Sequence, residues 1–152
     1  MTEQQAITLD IDGRGVATVT LNRPHIHNAF DDTVIAELIN AFESIHQNDN
    51  VRVMVLAATG KSFCAGADVN WMKKMASYSY AQNKKDAGQL ATLFSSLYNL
   101  NKPTIAKVQG AVYGGGVGLV ACCDIAIGSK LSKFCLSEVK LGLVPATISP
   151  YV

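Results

Sequence analysis

The sequence lacks the features that mark several common classes of protein. Only 16% of its 152 residues are charged, and 13 basic against 12 acidic residues leave a formal net charge of +1. A chain so close to neutrality offers no polybasic surface for nucleic acid or an anionic membrane. It also has no internal repeat, low-complexity tract or linker. We therefore expect residues 1–152 to form a single domain with no nucleic-acid partner.

Long apolar runs are absent as well. The longest uncharged stretch, residues 108–123, is rich in glycine and shorter than the about 20 apolar residues that a membrane-spanning helix needs. The first five residues include an acid and no apolar core, unlike a secretory signal. We expect no membrane partner and a cytoplasmic location.

Metal-binding spacings are missing too. The sequence has four cysteines, none of them in a C-x-x-C pair: Cys64, Cys122, Cys123 and Cys135. Its three histidines show neither H-x₃-H nor H-E-x-x-H spacing: His25, His27 and His46. We predict no structural or catalytic metal, and cysteines that act as buried free thiols.

The N-terminal third predicts strands and a helix in alternation. Residues 6–11 and 16–21 alternate in polarity across a glycine-containing turn, which is typical of a hairpin. Asp31 or Asp32 can cap a helix whose apolar residues recur at helical spacing up to residue 45. The apolar residues 51–57 then predict a strand covered on both faces. Strand–helix–strand order indicates an α/β fold with a parallel sheet.

A glycine-bearing loop follows at residues 60–68. The small residues at 64–67 would let the backbone approach a ligand closely, and Asp68 can cap a following helix. The alternative is an ordinary connection between a strand and a helix. Residues 81–100 then predict a second amphipathic helix.

The stretch at residues 102–138 carries the strongest functional signal. A strand at 104–108 leads to three successive glycines, Gly114 to Gly116, and then to a helix over 117–123. Unpaired N–H groups at the first turn of a helix favour negative charge. Glu138 follows in apolar surroundings, and an anion site beside a buried acid suits enolate chemistry. The alternatives are a tight glycine turn and a rim carboxylate paired with Lys140; neither nucleotide-phosphate glycine pattern is present.

Several separated motifs together resemble the enoyl-CoA hydratase/isomerase (crotonase) superfamily over residues 16–152. They are, in chain order, Arg23-Pro24 with Asn28-Ala29, residues 63–68, Lys102-Pro103, Gly110, residues 114–116, Cys123-Asp124 and residues 134–138. Within the superfamily, residues 66–72 and 135–143 resemble bacterial methylglutaconyl-CoA hydratases of leucine breakdown. The implied fold is a crotonase-like spiral of ββα repeats, stopping before the family's C-terminal helical region.

The resemblance also assigns roles to residues. The backbone N–H groups of Ala67 and Gly115 correspond to an oxyanion hole for the thioester carbonyl, and Glu138 corresponds to the acid/base. Coenzyme A (CoA) would bind as part of a thioester substrate, with no other cofactor and no metal. The implied substrate and CoA contacts are His25, Ile26, His27, Cys64, Ala65, Gly66, Ala67, Asp68, Gly114 and Gly115.

Two departures from the family pattern leave alternatives open. Gly118 stands where two-glutamate hydratases have their second carboxylate. The expected activity is addition of water to a 2-enoyl-CoA, and the alternatives are a single-glutamate enoyl-CoA isomerase or a non-catalytic acyl-CoA-binding fragment. The chain also ends before the family's remaining helices, so we expect exposed apolar surface. A homo-oligomer, a trimer or hexamer in the family, is the implied assembly.

Overall fold

The structure is a computed structural model and describes residues 5–152. Strands β1 (Ile7–Ile11) and β2 (Val16–Leu21) pair in antiparallel register, so the predicted hairpin is confirmed. In its turn, the Asp12 carboxylate accepts backbone N–H groups of Arg14 and Val16 at 2.9 and 3.0 Å. These bonds satisfy donors that the tight turn leaves unpaired.

The first long helix follows the predicted pattern closely. Helix α1 (Asp32–Gln47) begins after Asp31, whose carboxylate accepts the Val34 N–H at 3.0 Å as an N-cap. Its buried residues lie on one face at helical spacing: Val34, Ile35, Leu38, Ala41, Phe42 and Ile45. Strand β3 (Val53–Ala58) starts two residues later than the sequence predicts.

Two further helices lead to the fourth strand. Helix α2 (Val69–Met75) is capped by Asp68, and helix α3 (Tyr80–Tyr98) begins with a capping box in which Ser79 and Gln82 bond reciprocally. Strand β4 (Thr104–Val108) has the predicted bounds.

The C-terminal third consists of short elements. Strand β5 (Ala111–Tyr113) runs into helix α4 (Gly115–Ala121), which begins two residues earlier than predicted and includes Gly115 and Gly116 in its first turn. Strands β6 (Ile125–Gly128) and β7 (Lys133–Cys135) follow. A 3₁₀ turn at Ser137–Leu141 carries Glu138, and another lies at Pro24–Ile26.

The main sheet is mixed. Its strand order is β1-β2-β3-β4-β6, with every pair parallel except β1 and β2, so the prediction of a parallel sheet holds for four of the five strands. Strands β5 and β7 form a separate parallel pair. Helices α1 and α3 pack on one another, and one cluster of buried residues spans both helices and strands β2 to β5.

None of the helices in residues 5–152 combines the length and the hydrophobicity that crossing a bilayer requires.

Candidate active site

The two glycine loops predicted to form a site lie against each other. Gly66 has a φ of +90°, and a Cβ atom added there would lie 2.9 Å from the Tyr113 carbonyl oxygen and 3.7 Å from the Gly115 nitrogen. Only glycine fits this position without strain or a clash. The close approach brings the backbone after Gly66 next to the start of helix α4.

The backbone N–H groups of Ala67 and Gly115 are both free. Around Ala67, the Phe30 N–H donates to the Gly66 oxygen at 3.0 Å, and the Asp68 N–H donates to the Phe30 oxygen at 2.9 Å. These bonds fix the loop without involving the N–H group of Ala67 or of Gly115. Within residues 5–152 neither of these N–H groups has a hydrogen-bond acceptor. Two fixed backbone donors on adjacent loops can hold one oxygen that gains negative charge.

The Glu138 carboxyl group lies beside these donors. A Cβ atom added to Gly114 would lie 3.2 Å from the Glu138 Oε1, which places the carboxyl group over the residue preceding Gly115. Its Oε2 is buried and has no hydrogen-bond partner among residues 5–152. No ion pair with Lys140 is present among the described residues, so the alternative of a rim carboxylate paired with Lys140 does not hold. An unpaired buried acceptor is an uncommon feature that calls for an explanation.

These groups line one cavity of about 250 Å³. Six predicted site residues lie in its wall: Ala65, Gly66, Ala67, Gly114, Gly115 and Glu138. The rest of the wall is mainly apolar and comes from helices α2 and α3 and from residues 141–148. Apolar walls with a few convergent polar groups are typical of a small-molecule site.

The remaining predicted contacts lie outside this cavity. His25 and His27 are exposed, Ile26 is partly buried, and the Asp68 carboxylate is occupied as the cap of α2. His27 and Asn28 adopt left-handed φ values of 55° and 56°, which are uncommon outside glycine. This strained segment connects to the cavity because the Ala65 N–H donates to the His27 oxygen at 3.0 Å.

Asn28 holds the strained segment in place. Its side-chain amide donates to the carbonyl oxygens of Thr59 and Ser62 at 2.8 and 2.9 Å and accepts the Arg23 N–H at 2.8 Å. The residue is buried, so these bonds satisfy groups that water does not reach. Asn28 therefore ties the predicted CoA segment to the first glycine loop.

Cys64 has a structural role at the same junction. Its thiol donates to the Asn28 oxygen at 3.2 Å, and its sulfur accepts the Gly66 N–H at 3.4 Å. Complete burial raises the pKa of this thiol to about 12, so it stays protonated near neutral pH. The protonated thiol is thus unsuited to act as a nucleophile, and Cys64 does not line the cavity. Its predicted contact with CoA stays a prediction.

Gly118 lies at a tightly packed position in helix α4. A Cβ atom added there would lie 2.9 Å from Phe94 Cε1 and would clash with the Cγ2 methyl group of Ile148. The space that a second carboxylate would need is therefore filled by apolar side chains. The sequence alone shows that the second carboxylate is missing. Only the structure shows that the Ile148 side chain fills its place.

Trp71 is a polar member of the cavity wall that sequence reasoning missed. Its indole Nε1 is buried and has no hydrogen-bond partner within residues 5–152. The available signal was its position as the single tryptophan of the chain, three residues after the Asp68 cap. Within the part of the chain that the structure describes, no three His, Cys, Asp or Glu side chains are grouped as metal ligands would be.

Comparisons with known proteins identify the family of the chain. The sequence profile of the family described as Enoyl-CoA hydratase/isomerase matches residues 12–152. An enoyl-CoA hydratase, AKT6-1, of Alternaria alternata is 36% identical over 138 residues, covering 91% of this chain and 44% of its own. The 1,2-epoxyphenylacetyl-CoA isomerase of Escherichia coli is 34% identical, with 87% and 51% covered.

The fold is shared with a solved structure at higher identity. The crystal structure of an enoyl-CoA hydratase from Shewanella pealeana superposes with a TM-score of 0.95 at 49% identity, covering 99% of this chain and 56% of that one. The predicted crotonase-like α/β fold is confirmed. This chain spans about half the length of the relatives it matches. On its sequence and its fold alike, the chain belongs to the enoyl-CoA hydratase/isomerase family.

Proposed function

We propose that this protein is a hydratase that adds water across the double bond of a 2-enoyl-CoA. The observation that carries the proposal is the grouping, around one cavity, of two free backbone donors and one unpaired carboxylate oxygen. Relatives named as hydratases support it. The substrate is a CoA thioester, and the reaction needs no further cofactor.

The free donors suit the charge that the reaction develops. Attack at C3 of an enoyl thioester moves negative charge onto the carbonyl oxygen, and the Ala67 and Gly115 N–H groups would hold that oxygen. Because both donors are fixed before the reaction, they need no reorganisation as charge develops. One such donor is worth about 3 kcal/mol in a site that excludes water.

Glu138 would perform the proton transfers. Its carboxylate takes a proton from water as the water oxygen bonds to C3, and the carboxylic acid then gives a proton to C2. One group can serve both steps because the first step leaves it protonated. In this scheme the Glu138 carboxylate, whose Oε2 has no hydrogen-bond partner among the described residues, has the reacting water as its partner.

The acyl chain is proposed to be short and branched, with 3-methylglutaconyl-CoA as the first candidate. The support is the resemblance of residues 66–72 and 135–143 to methylglutaconyl-CoA hydratases of leucine breakdown. In such a substrate, the carboxylate at the far end of the acyl chain could assist catalysis in place of the second glutamate, whose position Gly118 occupies.

A second candidate function is double-bond isomerisation. The packing of Phe94 and Ile148 against Gly118 favours it, because moving a proton between C4 and C2 needs only one carboxylate. The E. coli relative is named an isomerase. In this case a 3-enoyl-CoA would become a 2-enoyl-CoA without gain of water.

The test is NMR of the protein in D₂O with 3-methylglutaconyl-CoA, crotonyl-CoA and a 3-enoyl-CoA in separate samples. A deuterated 3-hydroxyacyl product indicates hydration, and a shifted double bond alone indicates isomerisation. Glu138→Gln should slow either reaction by about 10²- to 10⁴-fold. The control is Glu43→Gln, an exposed glutamate on α1 outside the cavity, which should leave the rate unchanged. Binding of every thioester without turnover would contradict both catalytic proposals and leave an acyl-CoA-binding protein.

Location and assembly complete the proposal. We infer a cytoplasmic protein, supported by four cysteines that form no disulfide in the structure. We also infer a homo-oligomer, supported by exposed apolar side chains on and after β6, which association would cover. Light scattering of the eluting protein would test the assembly, and a monomer at micromolar concentration would contradict it.

A further inference from the structure

The cavity wall includes Trp71, whose indole Nε1 is a second unpaired polar atom that the proposed chemistry does not use. The Trp71 indole Nε1 is buried without an acceptor, and the whole side chain is 7% exposed. Burying an N–H group without a partner costs free energy, and such groups are rare in folded proteins. A donor left unpaired in the wall of a ligand cavity is explained if the ligand brings the acceptor.

The position of Trp71 points to the acyl part of the ligand. Trp71 lies in the wall of the same cavity as Ala67, Gly115 and Glu138, the residues proposed to hold and convert the thioester. Asp68 fixes the first turn of α2 by accepting the N–H groups of Asn70 and Trp71 at 2.7 and 3.3 Å. The backbone at Trp71 is therefore fixed directly after the loop that carries the Ala67 donor.

The rest of the cavity wall limits the chemistry of the acceptor. Among its described residues no arginine, lysine or histidine is present, and the other side-chain donors are the hydroxyl groups of Ser137 and Thr147. Neutral donors bind an oxygen acceptor without requiring it to be charged. Met72 and Met75 in the same wall are unbranched and flexible, so they can move to admit a group that reaches the indole.

We propose that Trp71 is a specificity-determining residue whose indole N–H binds an oxygen atom in the acyl chain, beyond the carbons that react. This inference rests on the proposed function and deepens it. The protein then selects acyl-CoA thioesters that carry a distal carbonyl or carboxylate oxygen over purely aliphatic ones. Selection arises because an aliphatic chain leaves the buried donor unpaired.

The single tryptophan makes the test direct, because ¹⁵N-labelled protein gives one indole N–H resonance. The protein is titrated with crotonyl-CoA, with 3-methylglutaconyl-CoA and with the neutral methyl ester of the latter, using the Glu138→Gln variant to prevent turnover. The indole proton should move downfield with the two oxygen-bearing thioesters and much less with crotonyl-CoA. Movement with both oxygen-bearing ligands shows that a neutral oxygen suffices, and movement with the carboxylate alone shows that charge is needed.

A variant measures the contribution to selectivity. Trp71→Phe should reduce the preference for 3-methylglutaconyl-CoA over crotonyl-CoA about tenfold in Kd. The control Tyr80→Phe removes a donor from an exposed side chain outside the cavity wall and should leave that ratio unchanged. Equal indole shifts with all three ligands would overturn this inference alone, whereas failure of every thioester to bind would overturn the proposed function as well.

Discussion

Strands β2 and β6 belong to the same sheet and both are rich in apolar residues, but their burial is opposite. In β2, Ala17, Val19 and Leu21 are at most 1% exposed, whereas in β6 Ile125 and Ile127 are 52% and 60% exposed. Strand β2 lies between β1 and β3, while β6 lies at the edge beside β4. Apolar residues of a strand are therefore buried only where other elements pack over them.

This contrast extends to the chain around each strand. Most of the large exposed apolar side chains of the described residues follow the start of β6: Ile125, Ile127, Leu131, Phe134, Leu136, Val139, Leu141, Leu143, Val144 and Val152. The candidate site draws on both regions. The backbone donors of Ala67 and Gly115 lie in the well-packed region, and Glu138 lies in the exposed one. The donors are thus fixed by the core, while Glu138 depends on a few contacts.

Those contacts can be named. The Gly114 N–H donates to the Cys135 oxygen at 3.0 Å, and the Lys133 N–H donates to the Gly110 oxygen at 2.8 Å. Further along, Ile148 is 1% exposed and packs against Gly118. Ile148 is the buried apolar anchor of a segment whose other large apolar residues are mostly exposed.

The largest effect is expected from Gly118→Glu, which places the family's second carboxylate between the two regions. The new side chain would collide with Phe94 and Ile148. Overpacking costs about 1–3 kcal/mol, and burial of an unpaired polar group adds about 1–3 kcal/mol. We expect urea denaturation to show a free energy of unfolding lower by about 4 kcal/mol, with no gain in hydration rate.

Gly88→Glu is the matched control. Gly88 is exposed in α3, and a Cβ atom there would meet no heavy atom within 4 Å. Replacing a helical glycine should raise stability by about 0.5–1 kcal/mol. A Gly118→Glu protein that is as stable as the original and faster in hydration would contradict this prediction. It would show that a glutamate side chain fits between Phe94 and Ile148.

A smaller effect is expected from removing the anchor itself. Ile148→Ala deletes buried methyl and methylene groups and should lower the free energy of unfolding by about 3 kcal/mol. Val144→Ala, at a side chain that is 80% exposed, should change it by no more than about 0.5 kcal/mol. Chemical denaturation of both variants measures the contrast directly. Equal losses would mean that Val144 is covered in solution.

Local sequence rules predicted the well-packed region in detail. The alternation of residues 16–21 and the Asp31 cap of α1 gave correct elements because both depend on near neighbours in the chain. The sequence also identified the two glycine loops, since a positive φ and a close approach restrict Gly66 to glycine.

Features that depend on distant parts of the chain could not be predicted in this way. The contact of Ile148 with Gly118 joins residues 30 positions apart, and no local pattern indicates it. Trp71 reads as an ordinary helical apolar residue until the fold shows that its N–H has no acceptor. The sequence predicted β1 as part of a hairpin. It could not predict that the hairpin forms the edge of an otherwise parallel sheet, because this depends on the pairing of β2 with β3.

The effect that is smallest near neutral pH concerns the thiols, which report burial in each region. Burial is the main cause that raises the pKa of Cys64, Cys122 and Cys123 to about 12, whereas Cys135 in β7 is only partly buried. At pH 8, iodoacetamide followed by mass spectrometry should therefore modify Cys135 first and Cys64 last. Unfolded thiols lose their protons near pH 9, before the buried ones, so the free energy of unfolding should fall as pH rises from about 9 to 12. Early modification of Cys64 in folded protein would contradict the difference in packing between the two regions. It would require the contacts of Cys64 with Asn28 and Gly66 to open as readily as the region around Cys135.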